Sequence, residues 1–452
     1  MNTLDNKKFY KSLVRLVVPI AIQNMLGALV GSADILMLGY VGQDELAAVS
    51  LANQYMFILW GFFFGINSAT TLMNSQYWGK GDKRAIQAIF GIALKISLLV
   101  TAIVTIGCVF FSNALMSLYT NDANLISIGS LYLRTTGVSY LLMSFSQSYQ
   151  CTLRSVEQAK KSTVISTITV ALNVFLNAVF IFGFFGCPKL GVLGVALATI
   201  TARVLELLIC LLDYLKGSIF KPDMKLLFGS HKELSKDFTK YAGPALVNDL
   251  VWTLAFSTYS IILGHLNNDM VAASSVATTI RELFTTVCFG ISAGGTVIIG
   301  KELGANELDQ AKKDASLLSV ITFLFTLFMS VALVILRRPA MSFFTLNDTA
   351  YGYLDTMLLI SSYYIIGQAM NTLYIAGLFR AGGNTKFGMI CDIITMWCIS
   401  VPLGFFVAFV LKWPPMVVYF VLCLDEFWKV PVVYKYYKSY KWLNNITRDE
   451  IV

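Results

Sequence analysis

The sequence predicts an all-α integral membrane protein, with twelve transmembrane helices in two pseudo-symmetric six-helix lobes. Three observations lead there. First, the 452 residues are 56% hydrophobic and only 13% charged, with a mean hydropathy of +0.68, whereas soluble domains are about one quarter charged. Second, the apolar residues fall into twelve long segments, each near the ~20 residues a helix needs to cross a bilayer. Third, the second half of the chain repeats the first at a nearly constant offset.

The segments run near 13–38, 53–76, 86–111, 125–150, 162–185, 190–215, 239–264, 271–299, 314–336, 354–378, 388–411 and 415–434. They are rich in Leu, Ile, Val and Phe without strict alternation, which fits helices and not barrel strands. The first follows the basic flank of "MNTLDNKKFYKSLVRLVVPIAIQN" and has the outline of a signal peptide. It continues through Asp34 without a small-residue cleavage site, so it reads as a retained span. Gln23, Gly27 and Asp34 fall on one stripe of that helix. Gly27-x-x-x-Gly31 offers close approach to a neighbouring helix, so Asp34 is expected to face the protein interior. A carboxylate at a span centre costs ~2.5–3.5 kcal/mol; it is kept to handle an ion, a proton or a substrate, or to pair with a cation.

The fifth span, "VALNVFLNAVFIFG", places Asn173 and Asn177 four apart on one helix face. The sixth, "GVALATITARVLELL", carries Thr199 and Thr201, then Arg203 and Glu206 at a spacing of three that lets them neutralise one another. Asp249, Arg281, Glu282, Asp392, Asp425 and Glu426 are the other acids and bases of this kind, several of them close to segment ends. The eight cysteines are scattered and read as packing residues, and His231 and His265 lie in or beside loops and form no metal cluster. The sequon at Asn347 falls in a predicted outer loop.

Basic residues set the orientation. With the N-terminus inside, 26 of the 34 Lys and Arg lie in cytoplasmic segments, four lie outside (Lys189, Arg337, Arg338, Lys412) and four fall within spans. The positive-inside rule then places both termini in the cytoplasm of a multi-pass protein of the cell membrane. The net charge of +8 reflects topology and not nucleic-acid binding.

Shifted by 225 residues, "VPIAIQNML" (18–26) lies over "GPALVNDLV" (243–251), and "LGYVGQDELAAVSLA" (38–52) over "LGHLNNDMVAASSVA" (263–277). "FGINSATT" (64–71) and "YWGKGD" (77–82) match "FGISAGGT" (289–296) and "ELGANE" (302–307) at the same offset. At 226, "LRSVEQAK" (153–160) lies over "FRAGGNTK" (379–386). Shared composition explains Leu over Leu, but not Pro, Gly, Asp and Arg in register. An even number of spans per copy gives a parallel repeat. The expected lobes are 1–215 and 239–452, joined by a cytoplasmic linker at 216–238. Two such lobes facing a central cleft suit alternating access. Asp34 maps onto Tyr259, so the second copy lacks this carboxylate. Gln23, Arg203, Glu206 and Tyr259 are candidates for the cleft.

Enzymatic chemistry finds no support. "GISAG" (290–294) matches the nucleophile-elbow pattern, but it sits in an apolar helix without a strand or histidine partner. Its small residues read as close helix packing. No Walker A or HExxH motif is present, so transport would draw on an ion gradient.

These residues resemble the multidrug and toxic compound extrusion (MATE) transporters over nearly the whole length. The resemblance rests on Pro19 and Gln23 in "VPIAIQN", Asp34 in "ADILMLGYVG", "ELAAVSLANQ" (45–54), "QYWGKGD" (76–82), "GKELGANELDQA" (300–311) and "LFRAGGNTK" (378–386). It implies an efflux antiporter that exchanges amphiphilic or cationic organic compounds for H+ or Na+, without a cofactor, embedded in the lipid bilayer and acting as a monomer. Asp34 matches the family's first-helix aspartate, implicated in cation coupling and a possible Na+ ligand. Asn173 matches the fifth-helix asparagine of one branch, and Thr199 or Thr201 its sixth-helix hydroxyl. That branch commonly has Asp where this chain has Asn177. The seventh-helix glutamate of another branch has no counterpart in "VWTLAFSTYSIILG" (251–264). The closest rival is a lipid-linked precursor flippase of a related superfamily, which would have more spans and a more cationic cavity. A membrane-embedded enzyme or receptor fits the duplication less well.

Overall fold

The computed structural model of the chain describes residues 3–449 apart from 218 and 345; the side chains of 3–8, 28–36 and 268 also lie outside the description. All regular structure among the described residues is helical. The first half comprises α1 (Thr3–Gly39), α2 (Gln43–Lys80), α3 (Lys83–Phe110), the short α4 (Ser112–Ser117), α5 (Ala123–Ser155), α6 (Ala159–Phe182) and α7 (Gly191–Leu215). A short α8 (Met224–Phe228) precedes α9 (Lys232–Gly264), α10 (Asn268–Gly304), α11 (Leu308–Met341) and α12 (Asp348–Asn371). α12 runs on as a π-helix over Thr372–Phe379. The next helix alternates α13 (Thr385–Asp392), a π stretch (Ile393–Ser400), α14 (Val401–Phe405) and a second π stretch (Phe406–Val410). α15 (Pro415–Leu422) and α16 (Asp425–Lys438) complete the bundle.

Each of the twelve apolar segments falls on helix, although α1 and α2 begin about ten residues before theirs and the segment 415–434 is divided between α15 and α16. Eight helices among the described residues are long and apolar enough to cross a membrane by length and composition. Their outward faces say the same. α11 buries only 28% of its most apolar stretch, and it leaves Phe323, Leu324, Phe328 and Ile335 exposed. In water such a surface would be an aggregation site; in a bilayer it is the expected lipid face.

The chain divides into two compact units. One holds Ile22–Trp78, Asp82–Thr239 and Arg448–Val452; the other holds Met1–Ala21, Gly79–Gly81 and Lys240–Thr447. We call them the N-terminal and C-terminal units. The core of the first gathers Leu59, Phe63, Tyr132, Leu133, Met143 and Val195. The core of the second gathers Met270, Leu333, Leu354, Tyr364, Met396 and Val418. α1 passes from one unit to the other between Ala21 and Ile22, two residues after Pro19.

The stretch 216–238, expected as a linker, is tied into the N-terminal unit. Asp223 caps α8 through the Lys225 and Leu226 amides at 2.8 and 3.3 Å. Gln87 of α3 donates to the Asp223 carbonyl at 3.1 Å, and Lys95 donates to the Gly229 carbonyl at 2.6 Å. α9 already begins at Lys232. Near the chain end, Arg448 bonds Asp237 at 2.7 Å and Glu233 at 2.9 Å. The Asp237 bond, with the Glu233 charge behind it, holds that guanidinium above its ordinary range.

The duplication extends to single side chains. Asp44 and its repeat partner Asp269 each sit in the first turn of a helix. Asp44 accepts from Asn124 at 2.8 Å, and Asp269 accepts from Asn347 at 2.7 Å. The sequon residue Asn347 also caps α12 through the Ala350 amide at 2.8 Å. Pro19 and Pro244 both lie inside long helices. The "GISAG" segment packs closely, as expected. A side chain at Gly290 or Gly294 would meet Val17 of α1, and Ser292 donates to the Thr372 carbonyl at 3.0 Å. Gly27 corrects one expectation. It is exposed, with open space where a Cβ would point, so it mediates no close helix contact among the described residues; the side-chain surroundings of Gly31 lie outside them.

Candidate functional site

The N-terminal unit contains a polar chain through its apolar helices. Gln23, on α1, donates from Nε2 to Ser166 Oγ at 2.7 Å and reaches Gln150 Oε1 at 3.4 Å. Gln150, on α5, accepts from Ser166 at 2.9 Å and from Ser162 at 3.2 Å. Its own Nε2 donates to Glu206 Oε1 on α7 at 2.6 Å. Arg203 Nη1 donates to the other Glu206 oxygen at 2.6 Å. Arg154 closes the group by donating to Ser162 at 3.1 Å. Glu206 is 2% exposed, so its charge is viable only because both oxygens receive strong, short bonds.

α6 supplies the seam. Ser162, Ser166, Thr169, Asn173 and Asn177 recur at spacings of three and four, so they form one stripe. Thr169, Asn173 and Asn177 are buried. Asn177 Nδ2 donates to Asn173 Oδ1 at 3.3 Å, which turns further amide oxygens and donors along the same line.

The C-terminal unit repeats this arrangement with more charge. Asn248, which the offset of 225 aligns with Gln23, donates to Asp392 Oδ2 at 2.5 Å. Asp392 stands where the offset of 226 places Ser166, and Lys429 where it places Arg203. Lys429 Nζ pairs with Asp392 at 2.8 Å and with Glu426 at 3.2 Å. Glu426 also accepts from Asn371 at 2.8 Å. Arg380, the partner of Arg154, bonds Asn248 at 2.9 Å and Asp249 at 2.7 Å. Lys429, Asp392 and Glu426 are all at least nine-tenths buried. The neighbouring Asp425 is fully buried, and among the described residues neither of its oxygens accepts a well-formed hydrogen bond.

The sequence-predicted residues therefore fall into three groups. Gln23, Arg203 and Glu206 join one network, and Asn173 and Asn177 pair on the same α6 face. Thr199 is half-buried and bonds the Val195 carbonyl of its own helix at 2.9 Å; Thr201 is exposed and bonds Leu197 at 2.8 Å. Tyr259 lies in the C-terminal unit, on the wall of a cavity. Asp34 belongs to α1, but its side chain lies outside the described residues. Sequence reasoning missed Gln150, Ser162 and Ser166, and it left Asn248, Lys429 and Asn371 unused. The signal was available in part: applying the repeat offset to polar positions pairs Gln23 with Asn248, Ser166 with Asp392 and Arg203 with Lys429.

Comparisons with known proteins bear on the fold and on the duplication. The MatE family profile matches twice, over residues 19–179 and 244–406, one match per copy of the repeat. An uncharacterized transporter, YisQ of Bacillus subtilis, is 23% identical over 432 residues, 96% of this chain and 95% of its own. A probable multidrug resistance protein, NorM of Thermotoga maritima, is 22% identical over 87% of this chain and 85% of its own. The multidrug resistance protein PmpM of Pseudomonas aeruginosa is 24% identical over 87% of this chain and 83% of its own. Among solved structures, a MATE protein in its bent conformation superposes with a TM-score of 0.87 at 18% identity, with 95% of each chain covered. An outward-facing MATE transporter gives 0.86 at the same identity and coverage.

Proposed function

Because the chain belongs to the MatE family of multidrug efflux transporters, we propose that it is a secondary active antiporter. It exports amphiphilic or cationic organic compounds by alternating access and is driven by inward H+ or Na+. Relatives named as multidrug resistance proteins support the substrate class. The asymmetry of basic residues supports a cell-membrane protein with both termini cytoplasmic.

The observation that carries the reading is how α1 is held. Pro19 removes one rung of its hydrogen-bond ladder. Four residues later Gln23 ties the helix to α5 and α6 through side-chain bonds alone. Asp34 follows eleven residues on, about three turns along the same helix. An ion that neutralises Asp34 lowers the cost of keeping that stretch in a dry environment. α1 then redistributes between two bends about Pro19, with the Gln23 bonds made in one and exchanged in the other. An ion and a cationic substrate that compete for the same carboxylate bias the helix oppositely, which yields exchange. Asn173, Asn177 and Thr199 offer neutral oxygens for a cation, and Glu206 is neutralised by Arg203.

The test is transport of a fluorescent organic cation in proteoliposomes under an imposed proton or sodium gradient. Wild type is expected to respond to one of the two. Asp34→Asn is expected to lose that response while keeping its melting temperature. Full gradient-driven transport by Asp34→Asn would sink the assignment of coupling to this residue.

A further inference from the structure

The C-terminal unit contains a cavity of about 210 Å³ between α9, α10, α12 and α15. Arg281 of α10 lines it and is 6% exposed. A guanidinium carries five N–H donors and no acceptor. Yet no side-chain or carbonyl oxygen accepts from this one, and no carboxylate lies within ion-pair distance of it, among the described residues. It rests instead against two rings, 4.8 Å from the Tyr364 centroid and 5.8 Å from that of Phe256. Lys429, the other deeply buried cation among the described residues of this unit, is by contrast paired with Asp392 and Glu426.

A second, independent observation concerns the same cavity. The hydroxyls of Tyr259 and Tyr364, both on its wall, are buried and make no well-formed hydrogen bond among the described residues; the Ser400 hydroxyl lies near that of Tyr259. The polar part of the lining is thus rich in unspent donors. The rest is apolar, with Phe256, Leu263 and Leu422. The repeat sharpens the contrast. Tyr259 stands where the first copy has Asp34, and Arg281 stands where it has Met56. The second copy has lost an acid and gained a base at these positions.

We propose that this cavity binds a small organic anion, a carboxylate on an apolar body, with Arg281 as its counter-charge and the Tyr259 and Tyr364 hydroxyls as hydrogen-bond donors. The two rings beneath Arg281 hold the guanidinium without consuming its N–H groups, so the donors stay directed at the ligand. Phe256, Leu263 and Leu422 cover the apolar body. Asp425, two residues beyond the lining residue Cys423, is buried, and its charge acts on Arg281 without a direct ion pair. It is the built-in competitor for Arg281 and keeps anion affinity moderate, as release requires.

The test is binding of radiolabelled benzoate to the purified full-length protein in detergent, with benzamide as the uncharged competitor of the same shape. Binding is expected to be saturable and displaced by unlabelled benzoate but not by benzamide. Arg281→Gln is expected to weaken it about tenfold or more, the effect of losing a charge-assisted bond. Tyr364→Phe keeps the ring under Arg281 and removes only the hydroxyl; a loss of roughly threefold is expected, and it serves if Arg281→Gln fails to fold. Displacement by a medium-chain fatty acid assigns the natural carboxylate to a lipid source, and lack of displacement assigns it to a small free acid; both keep the site. Equal competition by benzamide, or benzoate affinity unchanged in both variants, overturns it. The readout needs no gradient and does not involve Asp34, so its failure is separable from failure of the transport reading.

Discussion

Lys429 shows what a single side chain does inside such a bundle. Its ammonium is the shared counter-charge of Asp392 and Glu426, at 2.8 and 3.2 Å, and all three residues are buried. Lys429→Met would strand two carboxylates in a dry interior, a loss of about 3–5 kcal/mol by analogy with other buried pairs. The expected outcome is a large drop in melting temperature. Partial recovery is expected in Lys429→Met combined with Asp392→Asn, since one stranded charge is then removed. Gln150→Leu is a milder case in the other unit. It leaves one Glu206 oxygen without its 2.6 Å donor, a cost of about 1–3 kcal/mol, while the Arg203 pair persists. Arg203 and Glu206 were legible in the sequence because spacing on one helix predicts contact. Gln150 was not. Its partners come from three other helices, and no local pattern encodes which faces will meet.

At the scale of the element, the long apolar helices could be read directly, because a membrane span announces itself by length and composition. α4, α8 and the π stretches could not. α4 and α8 are six and five residues long, too short to show a period. A π turn differs from an α turn in hydrogen-bond register and not in residue type. α8 depends on one glycine: a Cβ at Gly91 of α3 would run into the Leu227 backbone. Gly91→Val is therefore expected to push α8 off α3 and strain the Lys95 and Gln87 bonds to that stretch. Limited proteolysis should then cut between residues 216 and 231 faster than in wild type, with the helical content preserved. Unchanged protection would show that the docking of α8 does not rest on this contact.

Over the whole molecule, two polar networks on repeated positions give one scaffold two electrostatic characters. The N-terminal unit uses amides and hydroxyls around one ion pair; the C-terminal unit sets the amides of Asn248 and Asn371 among several paired ions. The duplication was visible because Pro, Gly and Asp recur in register, and the paired roles of Asp44 and Asp269 show what the recurrence preserves. The assignment of residues to units was less visible. The first 21 residues cluster with the second half, and residues up to Thr239 cluster with the first, since sequence order does not say which half a terminal helix packs against. The inferred orientation has its own test. In a background without reactive native cysteines, Lys221→Cys is expected to react with an impermeant maleimide only from the cytoplasmic side, and Lys189→Cys only from outside. The reverse pattern would overturn the topology.

The π-helix at Thr372–Phe379 lies where the register of the repeat changes. The two copies align at 225 residues up to Gly304 and at 226 from Phe379 onward, so the second copy is longer by one residue somewhere in the interval that contains this segment. A helix that gains a residue without a loop to absorb it must widen one of its turns. A one-residue difference in length between the two copies within this interval matches both the change of offset and the wide turn. The positions after it, Arg380 among them, kept their pairing with the first copy because the widened turn took up the extra rotation.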